Sequence, residues 1–477
     1  MPGLGSRIGA TLQLPAQRGK RVAVVVAVLV FATGAGTGVG FGAPALVRHL
    51  NADDAVVAMP PPAPVIPHPV LRPVALDAPA PTRSGVGAVL DPLVAAGGLG
   101  TLSGQVVDPT TGTVLWQRDP GMALVPGSTA KLVTCAAALL ALDHQARLRT
   151  TVLTGSEPGT VVLVGGGDPT LSAAQPGTVT VYPGAARLDD LVDQVQAAVA
   201  GPVDRVLVDV HRYVGDSMAP GWLPADVAGG YIAPIEPVML DGARTDPTQE
   251  VSPRAAEPAT AAAAELARRL GADPDAVTLG SAPPGAAVLG VVSSPPVEDL
   301  VATTLSASDN VLAEVLAREV ARATGAQPSF SGATQAILTL LSEYGFDVSR
   351  ATLTDGSGLS VQDQIPARLL TDLLSAAADP DETQQRTAAL RPMLVGLPVA
   401  GSSGTLAGRY AGPTAGGRGW VRAKTGTLTG VNSLAGTVLD AEGRVLVFAL
   451  LSNGPNPVAV RPKLDALAAT LRSCGCR

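Results

Sequence analysis

The hydrophobic pattern changes period several times along the chain, and each change marks an expected element. Residues 103–107 and 113–117 read as two strands joined by the turn Asp108-Pro109-Thr110-Thr111-Gly112. Residues 128–142 are almost entirely apolar, with Leu132, Val133, Cys135, Leu139 and Leu140 among them. A helix that is apolar on every side is buried on every side. From about 149 to 296 short Val-rich strands, such as 160–164 and 205–210, alternate with Gly/Pro breaks and two Ala-rich helices near 188–200 and 261–270. This texture predicts a separate, strand-rich inserted domain. Helical spacing returns over 311–324, 333–344 and 367–378. The end is strand-rich (421–427, 433–439, 445–451) and closes with a helix over 458–472.

The N-terminal part reads differently. Arg7, Arg18, Lys20 and Arg21 precede an apolar run beginning at Val22, and an uncharged Gly-rich stretch continues it to Phe41. Residues 1–44 therefore read as an export signal or an uncleaved membrane anchor. Residues 45–84 read as a Pro/Ala-rich extended tether. Both readings place the rest of the chain in the cell envelope, outside the cytoplasmic membrane. The catalytic body is expected over 85–148 and 297–477, interrupted by the insertion.

Composition narrows the function. The 477 residues are 46% hydrophobic and 15% charged, enough apolar material for a sizeable core in two or three domains. A formal net charge of -7 argues against a nucleic-acid partner. Of 33 basic residues only Lys20, Lys131, Lys424 and Lys463 are lysines. Arginine does not give up its proton in a protein, whereas a desolvated lysine does, so each lysine marks a position of interest. Cys135 reads as a small buried hydrophobe, and Cys474 and Cys476 bridge each other or pair externally. The histidines are His49, His68, His144 and His211. The chain has no Gly-x-Ser-x-Gly, no His-Glu-x-x-His, no zinc-type cysteine spacing and no Walker loop, and nothing in it calls for a metal or cofactor.

Three short motifs carry candidate chemistry. Ser128 lies three residues before Lys131 at a helix start, which puts both side chains on one face. Burial lowers the pKa of such a lysine, and a neutral amine takes a proton from serine. Alone, this pair is a weak signal and reads more readily as a helix cap followed by a lysine reaching solvent. Ser308-Asp309-Asn310 precedes an amphipathic helix, where such residues are also the preferred caps. Lys424-Thr425-Gly426-Thr427 lies on a strand that an extended substrate would pair with, Lys424 and Thr425 holding a carboxylate. Together, and in this order, the three form the Ser-x-x-Lys, Ser-x-Asn, Lys-Thr-Gly set of β-lactamases and penicillin-binding proteins.

On these motifs the chain resembles the D-alanyl-D-alanine carboxypeptidase/endopeptidase family, the low-molecular-mass class C penicillin-binding proteins. The resemblance also rests on Gly165-Gly166-Gly167-Asp168-Pro169-Thr170-Leu171, Asp355-Gly356-Ser357-Gly358-Leu359-Ser360, Gly404-Thr405-Leu406 and the large insertion between the first and second motifs. It implies an α+β transpeptidase-type fold: an antiparallel sheet flanked by helices, with a helical lobe and the inserted domain. It also implies peptidoglycan stem peptides and β-lactams as partners. Ser128 would be the nucleophile, Lys131 the general base, and Ser308 and Lys424 a proton relay. Asn310, Lys424, Thr425, Gly426 and Thr427 would hold substrate, with the backbone N–H groups of Ser128 and Thr427 as oxyanion hole. The activity implied is DD-carboxypeptidase, with DD-endopeptidase as a second expectation. The chain departs from the family at Val361-Gln362-Asp363-Gln364, where a basic and Asn-containing continuation is usual. A β-lactamase is the alternative enzyme, with Glu343 the residue at a plausible distance for deacylation. A non-catalytic envelope binding protein on the same fold is the third reading.

Overall fold

The structure is a computed structural model that describes residues 77–249, 251–381 and 383–477. The expected export segment and most of the expected tether lie outside the described residues. In chain order, α1 (Arg83–Ala95) leads into β1 (Thr101–Asp108), β2 (Thr113–Arg118) and the short β3 (Ala123–Leu124). A 3-10 turn, Gly127–Ala130, runs directly into α2 (Lys131–Ala141). Then follow β4 (Arg147–Thr154), β5 (Thr160–Val164), α3 (Leu188–Ala198), β6 (Arg205–Asp209), α4 (Pro258–Leu270), β7 (Thr278–Leu279) and β8 (Val288–Pro296). A helical run comprises α5 (Val297–Ser306), α6 (Asn310–Ala323), α7 (Phe330–Glu343) and, after β9 (Ile365–Pro366), α8 (Ala367–Ala378). The chain closes with β10 (Val421–Leu428), β11 (Val431–Leu439), β12 (Val445–Asn453) and α9 (Pro457–Ser473).

The main sheet is antiparallel throughout, in the order β10-β11-β12-β1-β2. Side chains of a strand alternate between faces, so a strand covered on both sides must be apolar at every position. β12 is such a strand. Leu446, Phe448 and Leu450 pack with α1 and α9 on one face, and Val447, Ala449 and Leu451 pack with the helical lobe on the other. Helix α2 lies at the centre of that lobe, and every residue from Lys131 to Leu139 is buried. A lysine among them is a marked exception to the burial of charge.

A second sheet, β7-β6-β5-β4-β8, is mixed and has its own apolar cluster under α3 and α4, including Leu163, Leu191, Val206 and Leu266. The chain leaves the helical lobe through β4 and returns through β8, which are antiparallel neighbours with Arg147 opposite Pro296. Part of the intervening segment instead joins the lobe: Tyr182, Tyr213, Trp222, Ile232 and Met239 are buried in the main core.

The segment just before α1 is tied onto the body. The Thr82 side chain caps α1, and the Thr82 N–H donates to the Cys476 carbonyl at 2.7 Å. Cys474 and Cys476 are disulfide-bonded to each other. Arg444, after the β11–β12 turn, forms a buried ion pair with Asp108 at 2.8 Å and also donates to the Ala78 carbonyl. Removing one partner of a buried pair leaves the other charge uncompensated. Asp108→Ala is therefore expected to lower the unfolding free energy by about 3–5 kcal/mol, measured by denaturant titration.

Candidate active site

The site is built where the start of α2, the start of α6 and the edge strand β10 converge. Ser128 sits half-buried in the 3-10 turn ahead of α2. The turn is pinned through the Pro126 carbonyl, which accepts from Ser433 Oγ at 2.5 Å and Thr129 Oγ1 at 2.8 Å. Strand β10 passes so close that a Cβ on Gly426 would lie 2.5 Å from the Pro126 oxygen and 3.0 Å from the Ser128 nitrogen. Glycine is required here by close backbone approach.

Lys131 is fully buried and places Nζ among three oxygens. It donates to Ser128 Oγ at 3.0 Å, to Asn310 Oδ1 at 2.5 Å and to the Ser357 carbonyl at 2.7 Å. The orientation of the Asn310 amide is fixed, because its Nδ2 donates to the Tyr231 carbonyl at 2.8 Å. Burial pulls the Lys131 pKa down from 10.5 to about 8, against the carboxylates of Asp355, Glu314 and Asp309, which raise it.

The third motif provides a second buried amine. Lys424 Nζ donates to Ser308 Oγ at 2.8 Å and to the Thr425 carbonyl at 2.9 Å. Burial lowers its pKa well below the usual lysine value, and the nearby Lys131 lowers it further. Thr425 Oγ1 pairs with Thr405 Oγ1 at 2.8 Å, while Thr427 is exposed on the free edge of β10. Ser308 has a left-handed backbone with φ 58°, a conformation rare outside glycine. The structure thus brings Ser128, Lys131, Ser308, Asn310, Lys424, Thr425, Gly426 and Thr427 into one cleft.

Several further residues support the cleft without belonging to the three motifs. Glu314, one turn along α6 from Asn310, accepts from the Gly356 N–H at 3.0 Å. Asp355 accepts from the N–H groups of Ser357, Gly358 and Ser360 and from Trp222 Nε1 at 2.8 Å. Together they fix the loop that offers the Ser357 carbonyl to Lys131. Asp363 lies beneath it, accepting from the Thr354 N–H at 2.6 Å; burial and the Asp355 charge push its pKa up. Burial likewise raises that of Glu314. The i, i+4 spacing from Asn310 to Glu314 is a signal in the sequence, whereas the carbonyls of Ser357 and Tyr231 leave none. Glu343 lies exposed at the C-terminal end of α7. Among the described residues no group of His, Cys, Asp and Glu side chains is placed to hold a metal ion.

This antiparallel sheet with its helical lobe is the fold of the penicillin-binding proteins. Penicillin binding protein 4 of Haemophilus influenzae superposes with a TM-score of 0.65 at 21% identity, over 82% of this chain and 98% of that one. The chain belongs to the D-Ala-D-Ala carboxypeptidase 3 (S13) family, whose profile matches residues 87–251 and 243–473, and is a serine-type D-Ala-D-Ala carboxypeptidase. Carboxypeptidase DacB of Mycolicibacterium smegmatis is 50% identical, with 90% of this chain and 92% of the relative aligned. A carboxypeptidase of Mycobacterium tuberculosis is 48% identical over 87% of this chain and 90% of its own length.

The packing of the Ser357 loop yields a test. Gly358 has φ 78°, and a Cβ on it would lie 2.0 Å from the Gly127 carbonyl oxygen, next to Ser128. Gly358→Ala must displace one segment or the other. A misplacement of about 1 Å costs on the order of a hundredfold in rate, and kcat for D-alanine release is expected to fall by about that factor.

Proposed function

We propose that the D-Ala-D-Ala carboxypeptidase activity of this chain runs through an acyl-enzyme on Ser128, with Lys131 as the base that forms it. The observation that carries this reading is the set of partners around Lys131 Nζ. A neutral amine has two hydrogens and one lone pair. The Asn310 amide oxygen and the Ser357 carbonyl oxygen only accept, so they take both hydrogens. The lone pair is then left for the Ser128 hydroxyl, 3.0 Å away.

In this mechanism an extended stem peptide lies along the free edge of β10. Its terminal carboxylate is held by Thr425 and Lys424, and Asn310 Nδ2, which gives one hydrogen to the Tyr231 carbonyl, offers its other to the substrate backbone. Lys131 removes the Ser128 proton as Oγ attacks the carbonyl between the two D-alanines. The Ser128 and Thr427 N–H groups stabilise the oxyanion. Ser308, hydrogen-bonded to Lys424, gives its hydroxyl proton to the leaving amine and takes up in its place the proton that Lys131 removed from Ser128; the terminal D-alanine departs, and water hydrolyses the ester. A β-lactam presents the same carbonyl and carboxylate and would acylate the same serine.

The segment 149–296, entered and left through β4 and β8, is read as an inserted domain on the catalytic body of 85–148 and 297–477. The substrate places the site of action in the cell envelope, and residues 1–44 are read as the export signal or membrane anchor that brings the chain there. Among the described residues no helix is long and apolar enough to cross a membrane.

Two outcomes test the base. Lys131→Arg keeps the charge but not the ability to lose a proton, so acylation is expected to fall by about 10²–10⁴-fold. The lowered Lys131 pKa means the reactive amine is protonated below about 8 and free above it. The value of kcat/KM is therefore expected to rise with pH through an inflection near 8, and a flat profile across neutral pH contradicts the assignment.

A further inference from the structure

The second motif is held by residues of the segment between the first and second motifs. Asp309, between Ser308 and Asn310, uses one carboxylate oxygen to cap α6 by accepting from the Leu312 N–H at 2.9 Å. Its other oxygen accepts from the hydroxyl of Tyr182 at 2.9 Å and lies 3.7 Å from a guanidinium nitrogen of Arg244. Arg244 also donates to the Tyr182 hydroxyl at 3.1 Å and stacks 5.5 Å from the centre of that ring. Tyr182 and Arg244 both come from the segment between the first and second motifs, and Tyr182 is 3% exposed.

The backbone that presents Arg244 is itself unusual. Asp241, Gly242 and Ala243 are left-handed in succession, with φ of 52°, 65° and 62°. Such a run persists only where its surroundings over-determine it. Here the Asp241 and Gly242 N–H groups donate to the carbonyls of Leu171 and Pro169, and buried Arg254 donates to the Gly242 carbonyl at 2.5 Å. Arg254 also donates to the carbonyl of Gly230, the residue before the Tyr231 carbonyl that Asn310 contacts. A Cβ on Gly242 would sit 2.2 Å from the Tyr182 hydroxyl, so the turn is pressed against the tyrosine.

We infer that Tyr182 and Arg244 are positioning residues that hold the Ser308–Asn310 loop, left-handed Ser308 included, in the conformation that acylation requires. This rests on the proposed roles of Ser308 and Asn310. Strain at Ser308 needs an external hold, and the carboxylate between the two reactive side chains is where that hold attaches. The inserted segment thus takes part in the reaction by fixing the distance from Ser308 Oγ to Lys424 and from Asn310 Oδ1 to Lys131. A hydrogen bond to a charged acceptor is stronger than a neutral one, so the phenol hydroxyl is the group whose removal isolates the effect.

The full chain is compared with Tyr182→Phe, which deletes that hydroxyl alone. The readouts are kcat and KM for D-alanine release, the rate of penicillin acylation per titratable site, and Tm. Tyr182→Phe is expected to lower kcat and the acylation rate by about tenfold or more, with KM changed less than about twofold and Tm near that of the unsubstituted chain. An unchanged rate per titratable site overturns the inference, whether or not the number of sites falls. If Tyr182→Phe does not fold, Arg244→Gln and Arg244→Lys replace it. Loss in the first with partial recovery in the second supports the hold, and equal, unchanged rates in both overturn it. Absence of any adduct on Ser128 in the unsubstituted chain is a separate result, which would remove the proposed mechanism itself.

Discussion

A lysine side chain buried from solvent must satisfy its amine from the protein, and the architecture around Lys131 follows from that constraint. The charged form is costly in such a place, so the pKa falls. The neutral form is tolerable only if its hydrogens find acceptors. Those acceptors lie far along the chain, Asn310 at a separation of 179 residues and Ser357 at 226. The fold must therefore bring three distant segments within hydrogen-bonding distance of one nitrogen, and the buried helix α2 is the rigid element around which they gather.

The rest of the cleft repeats this logic. Lys424 is a second buried amine, anchored on an edge strand and facing Ser308. Burial lowers the proton affinity of both amines, and the nearby Lys131 lowers that of Lys424 further. The loop from Asp355 to Ser360 is rigid for a complementary reason: its N–H groups converge on the carboxylates of Asp355 and Glu314, leaving the Ser357 carbonyl aimed at Lys131. An Arg at position 131 would meet every steric demand of this cavity poorly and the chemical demand not at all, which is why arginine-for-lysine replacement discriminates base from structural cation.

Much of this was legible in the sequence. A lysine in an otherwise apolar helix, in a chain that uses arginine nearly everywhere else, pointed to Lys131, and three ordered motifs pointed to one cleft. The strands 421–428, 431–439 and 445–453 lie close to where β-branched and apolar runs placed them. Helix α1 was not legible: its contacts are with the C-terminal helix and its sequence is rich in glycine and interrupted by Pro92. Strands β4 and β8 were not singled out among the Val-rich runs of that segment; β4 pairs with β5 beside it and with β8 across the whole insertion. The carbonyls of Ser357 and Tyr231 belong to the backbone, so residue type carries no trace of them. The contact of Tyr182 with Asp309 spans 127 residues and joins two side chains that, read locally, are an ordinary aromatic and an ordinary helix cap.

The most direct test of the central claim is to incubate the protein with a penicillin and determine intact mass, followed by peptide mapping of the adduct. The account predicts one penicilloyl group per chain, carried by Ser128. A folded protein that acquires no adduct, or one that carries it on another residue, contradicts the assignment of Ser128 and Lys131 as the reacting pair.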